Sequence, residues 1–162
     1  VGTHVAPAPE HVEKMIDQVL LEYGGILDCF VVDKIAKFHL DFETVHPFCD
    51  GNGRIGRVLI NLQLMQSGFP PVIIRDKEKA EYYEAFKLYR SGEKRDQMEK
   101  VVLLALYESL HKRIAYLKSL NIIRVTEYAE SIGETSQNTL NKAARQTIPA
   151  FREKGVWKIG VT

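Results

Sequence analysis

The stretch His46-Pro47-Phe48-Cys49-Asp50-Gly51-Asn52-Gly53-Arg54-Ile55-Gly56-Arg57 decides how this chain of 162 residues is read. It gathers an imidazole, a carboxylate, three glycines and two guanidinium groups just ahead of an apolar run at helical spacing, Ile55, Val58, Leu59, Leu62 and Met65. Glycines let backbone N–H groups approach an anion with no Cβ in the way, and a following helix adds unpaired first-turn donors and the positive end of its dipole. Arg54 and Arg57 stand three apart, on one side of a first turn, where forked donors reach neighbouring phosphate oxygens. With Gly51, Asn52 and Gly53 they make a polyphosphate cradle, and ATP is the ligand it suits. Asp50 is a hard oxygen donor of the kind that holds Mg²⁺ by one carboxylate while substrate phosphates and water complete the octahedron. His46, held by Pro47 and anchored by Phe48, has the ordinary pKa best suited to taking a proton near neutrality and is the candidate general base.

Outward from this loop the sequence reads as helices. Apolar residues from Val12 to Tyr23 predict one helix closed by Gly24-Gly25, and those from Leu27 to Phe42 predict a second over Ile26 to about Val45. After the loop a helix runs from Ile55 to the stop at Gly68 and Pro70-Pro71, Val72-Ile73-Ile74 is extended, and Asp76 caps a charged helix ending near Ser91-Gly92. A long helix follows from Asp96 to about Leu120. Beyond it Ile122-Ile123 is extended, Thr126 caps a short helix to Ser131, Gly133 turns, Thr135-Ser136 cap a second short helix, and Val156-Trp157-Lys158-Ile159 is strand-like. The opening Val1-Gly2-Thr3-His4-Val5 reads as half of a strand pair. The expected fold is all-α: a helical bundle over residues 1–120 with a short β-flap at its N-terminus, and a small helix-turn-helix or winged-helix-like segment over 121–162.

Two familiar phosphate motifs are set aside. Gly51 to Gly56 spells GxGxxG, yet a helix rather than a strand precedes it and no parallel-sheet pattern surrounds Asp76, the acidic residue at a tolerable distance. A Walker A loop fails because Arg57 and Val58 occupy the positions of its Lys and its Ser or Thr.

At all nine constrained positions the loop instead resembles the signature of the Fic (filamentation induced by cAMP) family, His-Pro-Phe-x-Asp/Glu-Gly-Asn-Gly-Arg-x-x-Arg. The Gly2-Thr3-His4-Val5-Ala6-Pro7 opening resembles the family's flap, and Gly68 to Arg75 with Tyr82-Tyr83 its post-motif segment. The resemblance implies a protein adenylyltransferase: AMP passes from Mg²⁺-ATP to a Ser, Thr or Tyr hydroxyl of a target protein or of the chain itself, and pyrophosphate leaves. It implies His46 as base, Asp50 on Mg²⁺ between the α- and β-phosphates, the Gly51-Asn52-Gly53 turn as anion hole, and Arg54 and Arg57 on the β- and γ-phosphates. It implies that the flap pins the target peptide by strand pairing; by helical facing, Tyr83 reads either as a platform for the base or as a packing residue. Where relatives often offer an Asn to the adenine edge, this chain has Arg90, which leaves the base preference open; a further alternative is transfer of UMP or another phosphorylated group, or removal of AMP. The family's inhibitory helix, Ser/Thr-x-x-x-Glu-Gly/Asn, has its nearest approach in Thr126 to Ser131, which lacks the final residue.

Composition agrees with a soluble enzyme. Hydrophobic residues make up 45% and charged residues 27%, which excludes disordered and collagenous classes. No apolar stretch is long enough to span a membrane and no signal peptide is evident, so the expected location is the cytoplasm, which two cysteines, Cys29 and Cys49, also suit. The net charge of +1 conceals an asymmetry: residues 1–110 hold 13 basic against 17 acidic groups, residues 111–162 hold 9 against 4. The competing reading is a regulator that uses the Fic-like core as sensor and binds protein or DNA through the tail, with Gln137, Asn138, Asn141, Lys142 and Arg145 as the residues that would meet DNA. A homodimer is compatible with either. His39 and His111 read as solvent-facing, Cys29 as a small core residue, and Trp157 as an anchor.

Overall fold

In the computed structural model, which describes residues 5–75, 79–92 and 96–162, helices dominate. They are α1 (Pro9–Gly25), α2 (Val31–Val45), α3 (Asn52–Gln66), α4 (Lys79–Arg90), α5 (Asp96–Leu117), α6 (Val125–Ser131) and α7 (Ser136–Ala144). Strands β1 (Asn121–Arg124), β2 (Ala150–Glu153) and β3 (Val156–Val161) form one antiparallel sheet in the order β1-β3-β2. The chain divides into two compact units, Val1–Val102 and Leu103–Thr162, with α5 running across the division. The expected flap over Val1 to His4 and the Asp76 cap lie outside the described residues.

In the first unit the apolar stripe of α2 buries Val32, Ile35, Ala36, Leu40, Phe42 and Val45. Ile60 and Leu64 of α3 and Met98 and Val102 of α5 are equally buried, each such side chain contributing about 1.5–3 kcal/mol on leaving water. Two expectations on boundaries are corrected here. Helix α2 begins at Val31, not Ile26, because Leu27 and Phe30 lie on the surface and their helical spacing marks no buried face. Helix α3 begins at Asn52, three residues before the apolar run: Gly51, at φ +84°, turns the chain into the helix inside the glycine segment itself. The segment after α3 forms no helix or strand over residues 69–75, and the Asn61 side chain takes up both backbone groups of Val72. It accepts from Val72 N–H at 2.6 Å and donates to Val72 C=O at 3.1 Å.

The second unit packs α6 and α7 against the sheet over Val125, Ala143, Ala150 and Ile159, with Trp157 and Leu140 partly buried beside them. Thr135 caps α7 by accepting Asn138 N–H, as the sequence indicates. The other cap is corrected: α6 starts at Val125, one residue before Thr126, with Arg124 at its N-cap and the Glu127 carboxylate reaching back to the Arg124 N–H. Strand β2 was not read from the sequence; its Phe151 is fully buried.

Candidate active site

Helix α2 ends by placing His46 in the left-handed region, φ 52° and ψ 59°, its N–H bonded to Phe42 C=O at 2.9 Å. For a residue with a Cβ this conformation costs about 1–2 kcal/mol, and such strain persists where surrounding structure enforces it. The enforcement is visible one loop later. Asn52, only 2% exposed, accepts the Phe48 N–H at 2.9 Å and donates to the Phe48 C=O at 2.6 Å, closing the Pro47–Gly51 turn as a peptide group would. The first bond of α3 is Ile55 N–H to Gly51 C=O, so the N–H groups of Asn52, Gly53 and Arg54 lie ahead of it, at the positive end of a helix of 15 residues.

The two arginines fold back over the glycines. Arg54 comes within 3.3 Å of where a Cβ on Gly51 would stand, and Arg57 within 3.3 Å of the same point on Gly53. Any side chain at either glycine displaces a guanidinium. Arg54 also pairs with Asp50 at 3.0 Å, with both side chains open to solvent. Among the described residues no group of three or more His, Cys, Asp or Glu side chains gathers around a common point. The oxygen donor at the loop is the single Asp50 carboxylate.

Behind the loop lies a buried polar layer that the sequence reading missed. His39 is corrected from solvent-facing to buried, at 1% exposure, with Nε2 2.6 Å from the Tyr82 hydroxyl. Burial, and secondarily Arg57, drives its pKa down to about 3, so the ring is neutral. Glu43, 7% exposed, faces His46 Nδ1 with Oε2 at 3.8 Å, while its Oε1 has no hydrogen-bond partner, as is also true of His39 Nδ1. Burial pushes the Glu43 carboxyl above the ordinary carboxylate range, against the pull of Arg57 and Arg90. Gly56 makes this layer compatible with helix contact: a Cβ there would stand 2.6 Å from His39 Cε1 and 2.9 Å from Glu43 Oε1. The four-residue spacing of His39 and Glu43 on one helix, followed by Gly56 in the motif, was the available signal.

The remaining expectations are located as follows. Tyr83 is 43% exposed and meets Tyr82 edge-on. Arg90 donates to the Glu43 carbonyl at 3.2 Å and lies over the Phe86 ring. Cys29 is corrected from core to exposed. In the second unit His111 is half-buried on Gln146 at 2.8 Å rather than solvent-facing. Gln137 bonds Asn141, and Lys142 bonds Glu134 at 2.5 Å, so three of the five residues read as base readers are engaged within the chain. Trp157 lies under the Arg152 guanidinium at 4.5 Å. Among the described residues no helix is long and apolar enough to cross a membrane.

A histidine capping a helix, a glycine turn and two arginines entering the next helix together have the donor chemistry that suits phosphate. Residues 1–64 match the model of the Fic/DOC family, and this part of the chain belongs to that family. The chain is 37% identical over 155 residues to protein adenylyltransferase fic-1 of Caenorhabditis elegans, covering 94% of this chain and 27% of that protein. It is 41% identical over 97 residues to protein adenylyltransferase Fic of Nematostella vectensis, covering 57% and 22% respectively. The solved structure of Fic-1 (residues 134–508) from C. elegans superposes with a TM-score of 0.63 at 32% identity, over 74% of this chain and 37% of that one. The chain thus spans about a quarter of the length of these curated relatives.

Proposed function

We propose that this protein is a protein adenylyltransferase that transfers AMP from Mg²⁺-ATP to a hydroxyl side chain of a target protein, itself included. The observation that carries the reading is the pairing, across one short loop, of the strained His46 with the open first turn of α3. His46 takes the proton of the incoming hydroxyl, whose oxygen attacks the α-phosphorus in line. The bond to the bridging oxygen breaks, and pyrophosphate leaves. The N–H groups of Asn52, Gly53 and Arg54 receive the charge that develops on the transferred phosphoryl oxygens. Arg54 and Arg57 bind the β- and γ-phosphates. Asp50 has the donor chemistry for Mg²⁺: one exposed, hard carboxylate fits an ion that keeps water and phosphate oxygens as its other ligands. When bound, that ion neutralises phosphate charge.

The same reading takes residues 1–120 as the catalytic core and 121–162 as a winged-helix-like appendage, with Tyr83 as the base platform and the cytoplasm as the compartment. The exposure of Tyr83 supports the platform role. Incubation with Mg²⁺ and α-labelled ATP is expected to label protein, whereas γ-labelled ATP is not. His46→Ala is expected to lower the rate by about 10²–10⁴. Label from the γ-position, or undiminished labelling in His46→Ala, would overturn the reading. Parallel reactions with the four α-labelled nucleoside triphosphates separate AMP from UMP transfer. Loss of label from a pre-labelled protein reports AMP removal.

A further inference from the structure

Glu43 is the polar group of this site whose burial the proposed reaction leaves unexplained. It sits on the last turn of α2, three residues before His46, and its carboxylate is nearly closed off from water. A carboxylate is not left in such a place without compensation, because transfer from water is costly unless charge partners or hydrogen bonds return the loss. Arg90 from α4 donates to its backbone carbonyl, not to its carboxylate. The side chain is fixed by packing instead: Oε1 lies against Gly56 and Gly53 of α3, 2.9 and 3.6 Å from where their Cβ atoms would stand. That contact turns Oε2 to the imidazole, 3.8 Å from Nδ1.

We propose that Glu43 is a positioning residue for His46: its carboxylate holds the Nδ1 edge of the ring, so that Nε2 is the nitrogen that accepts the proton of the incoming hydroxyl. The inference rests on the adenylyltransferase reading for its catalytic consequence, but not for the contact itself. A neutral histidine carries its proton on one nitrogen and its lone pair on the other, and an acceptor beside one nitrogen selects the tautomer. Here the acceptor stands beside Nδ1, which becomes the N–H, and Nε2 keeps the lone pair. When Nε2 takes the proton, the ring becomes a cation 3.8 Å from the carboxylate, a pair that favours the protonated product of the step. The separation exceeds a hydrogen bond, and such contacts commonly tighten only when substrate binds. Gly56 is part of the device, since any larger residue there displaces the carboxylate.

The charged and titratable groups facing Glu43 are His39 from α2, His46 at its C-cap, Arg57 from α3, and Tyr82 and Arg90 from α4, with burial holding the Tyr82 hydroxyl protonated far above neutrality. Arg57 and Arg90 are cationic across the working pH range. His39, with its depressed pKa, stays neutral above about 3, so neither it nor the arginines adds a titration near neutrality. The pH response is therefore that of the Glu43–His46 pair.

Two measurements on the full chain decide the proposal. The first needs no activity: ¹⁵N spectra of the imidazole groups, with the His46 signals assigned by their loss in His46→Ala, report the tautomer. The Nδ1–H form is expected, reverting toward Nε2–H in Glu43→Leu. The second is the acid limb of the label-transfer rate in the isosteric Glu43→Gln, which keeps the packing and loses the charge. The rate is expected to fall about 10–100-fold, with the acid limb about one pH unit lower. Glu43→Asp is expected to recover part of the rate. An Nε2–H tautomer in the unaltered protein overturns the proposal. So does an acid limb that stays in place in Glu43→Gln while only thermal stability falls. If the unaltered protein transfers no label, the adenylyltransferase reading fails, and the tautomer measurement still decides the contact.

Discussion

The two units treat their polar groups in opposite ways. Among the described residues, the buried side-chain atoms without a hydrogen-bond partner are His39 Nδ1, Glu43 Oε1 and Gln63 Oε1, and all belong to the first unit. In the second unit the charges close on one another. Glu108 takes the Arg152 guanidinium at 2.8 Å and the Arg152 N–H at 3.0 Å, Glu134 takes Lys142, and Glu153 takes Lys112 and Lys158. Buried polar groups are ordinarily satisfied, and exceptions call for a reason. Two of the exceptions, on His39 and Glu43, lie against Gly56, and Glu43 also faces the strained histidine. The first unit leaves hydrogen-bonding capacity unspent beside the candidate site, whereas the second unit spends its polar groups on its own cohesion.

Acid should break this contrast most. His39 is neutral in the folded chain, with a pKa near 3 against an ordinary 6.5, so the unfolded chain binds the extra proton. Stability is then complete above 6.5 and declines as pH falls toward 3, by on the order of 4 kcal/mol. His39→Gln is expected to flatten that decline in urea titrations followed by far-ultraviolet circular dichroism. The matching group of the second unit is Glu153, lowered to about 2 first by its hydrogen bond from Lys158 and then by Tyr116 and Lys112. Its contribution is present above 4.5 and lost only as pH falls toward 2. Fluorescence of Trp157, the single tryptophan, should therefore stay native to lower pH than the dichroism does.

Removing one partner of a buried pair comes next. Glu108→Ala strands the Arg152 guanidinium, whose side chain is 14% exposed, and is expected to destabilise the second unit by about 3 kcal/mol, read from Trp157. Gly56→Ala is expected to cost the first unit about 2 kcal/mol by pressing on His39 and Glu43, and to lower label transfer more than thermal stability alone accounts for. Smallest is Arg54→Ala. Its pair with Asp50 is solvent-exposed, so the thermal midpoint should hold while the Michaelis constant for ATP rises about tenfold.

Much of the site was legible because its chemistry is local. Twelve consecutive residues carry the histidine, the carboxylate, the glycines and the arginines, and a turn between helices needs no distant partner to be recognised. What stayed hidden depends on which face of a helix meets another. His39 and Glu43 look like ordinary polar residues on α2, and it is the approach of α3 at Gly56 and of α4 at Tyr82, Phe86 and Arg90 that covers them. The start of α2 was misjudged for the converse reason, since Leu27 and Phe30 keep helical spacing on a surface. Strand β2 escaped notice because its four residues, Ala150 to Glu153, are few and do not alternate, two buried residues being followed by two part-exposed ones, and β3 alone pairs with them.

The order β1-β3-β2 sets a schedule for the second unit. Its central strand is the last in sequence, and residues Val156–Val161 pair on both sides. During synthesis neither β1 nor β2 has a neighbour until those six residues have left the ribosome. Until then Phe151 has no sheet to shelter it, so the sheet of this unit cannot form before its third strand is present.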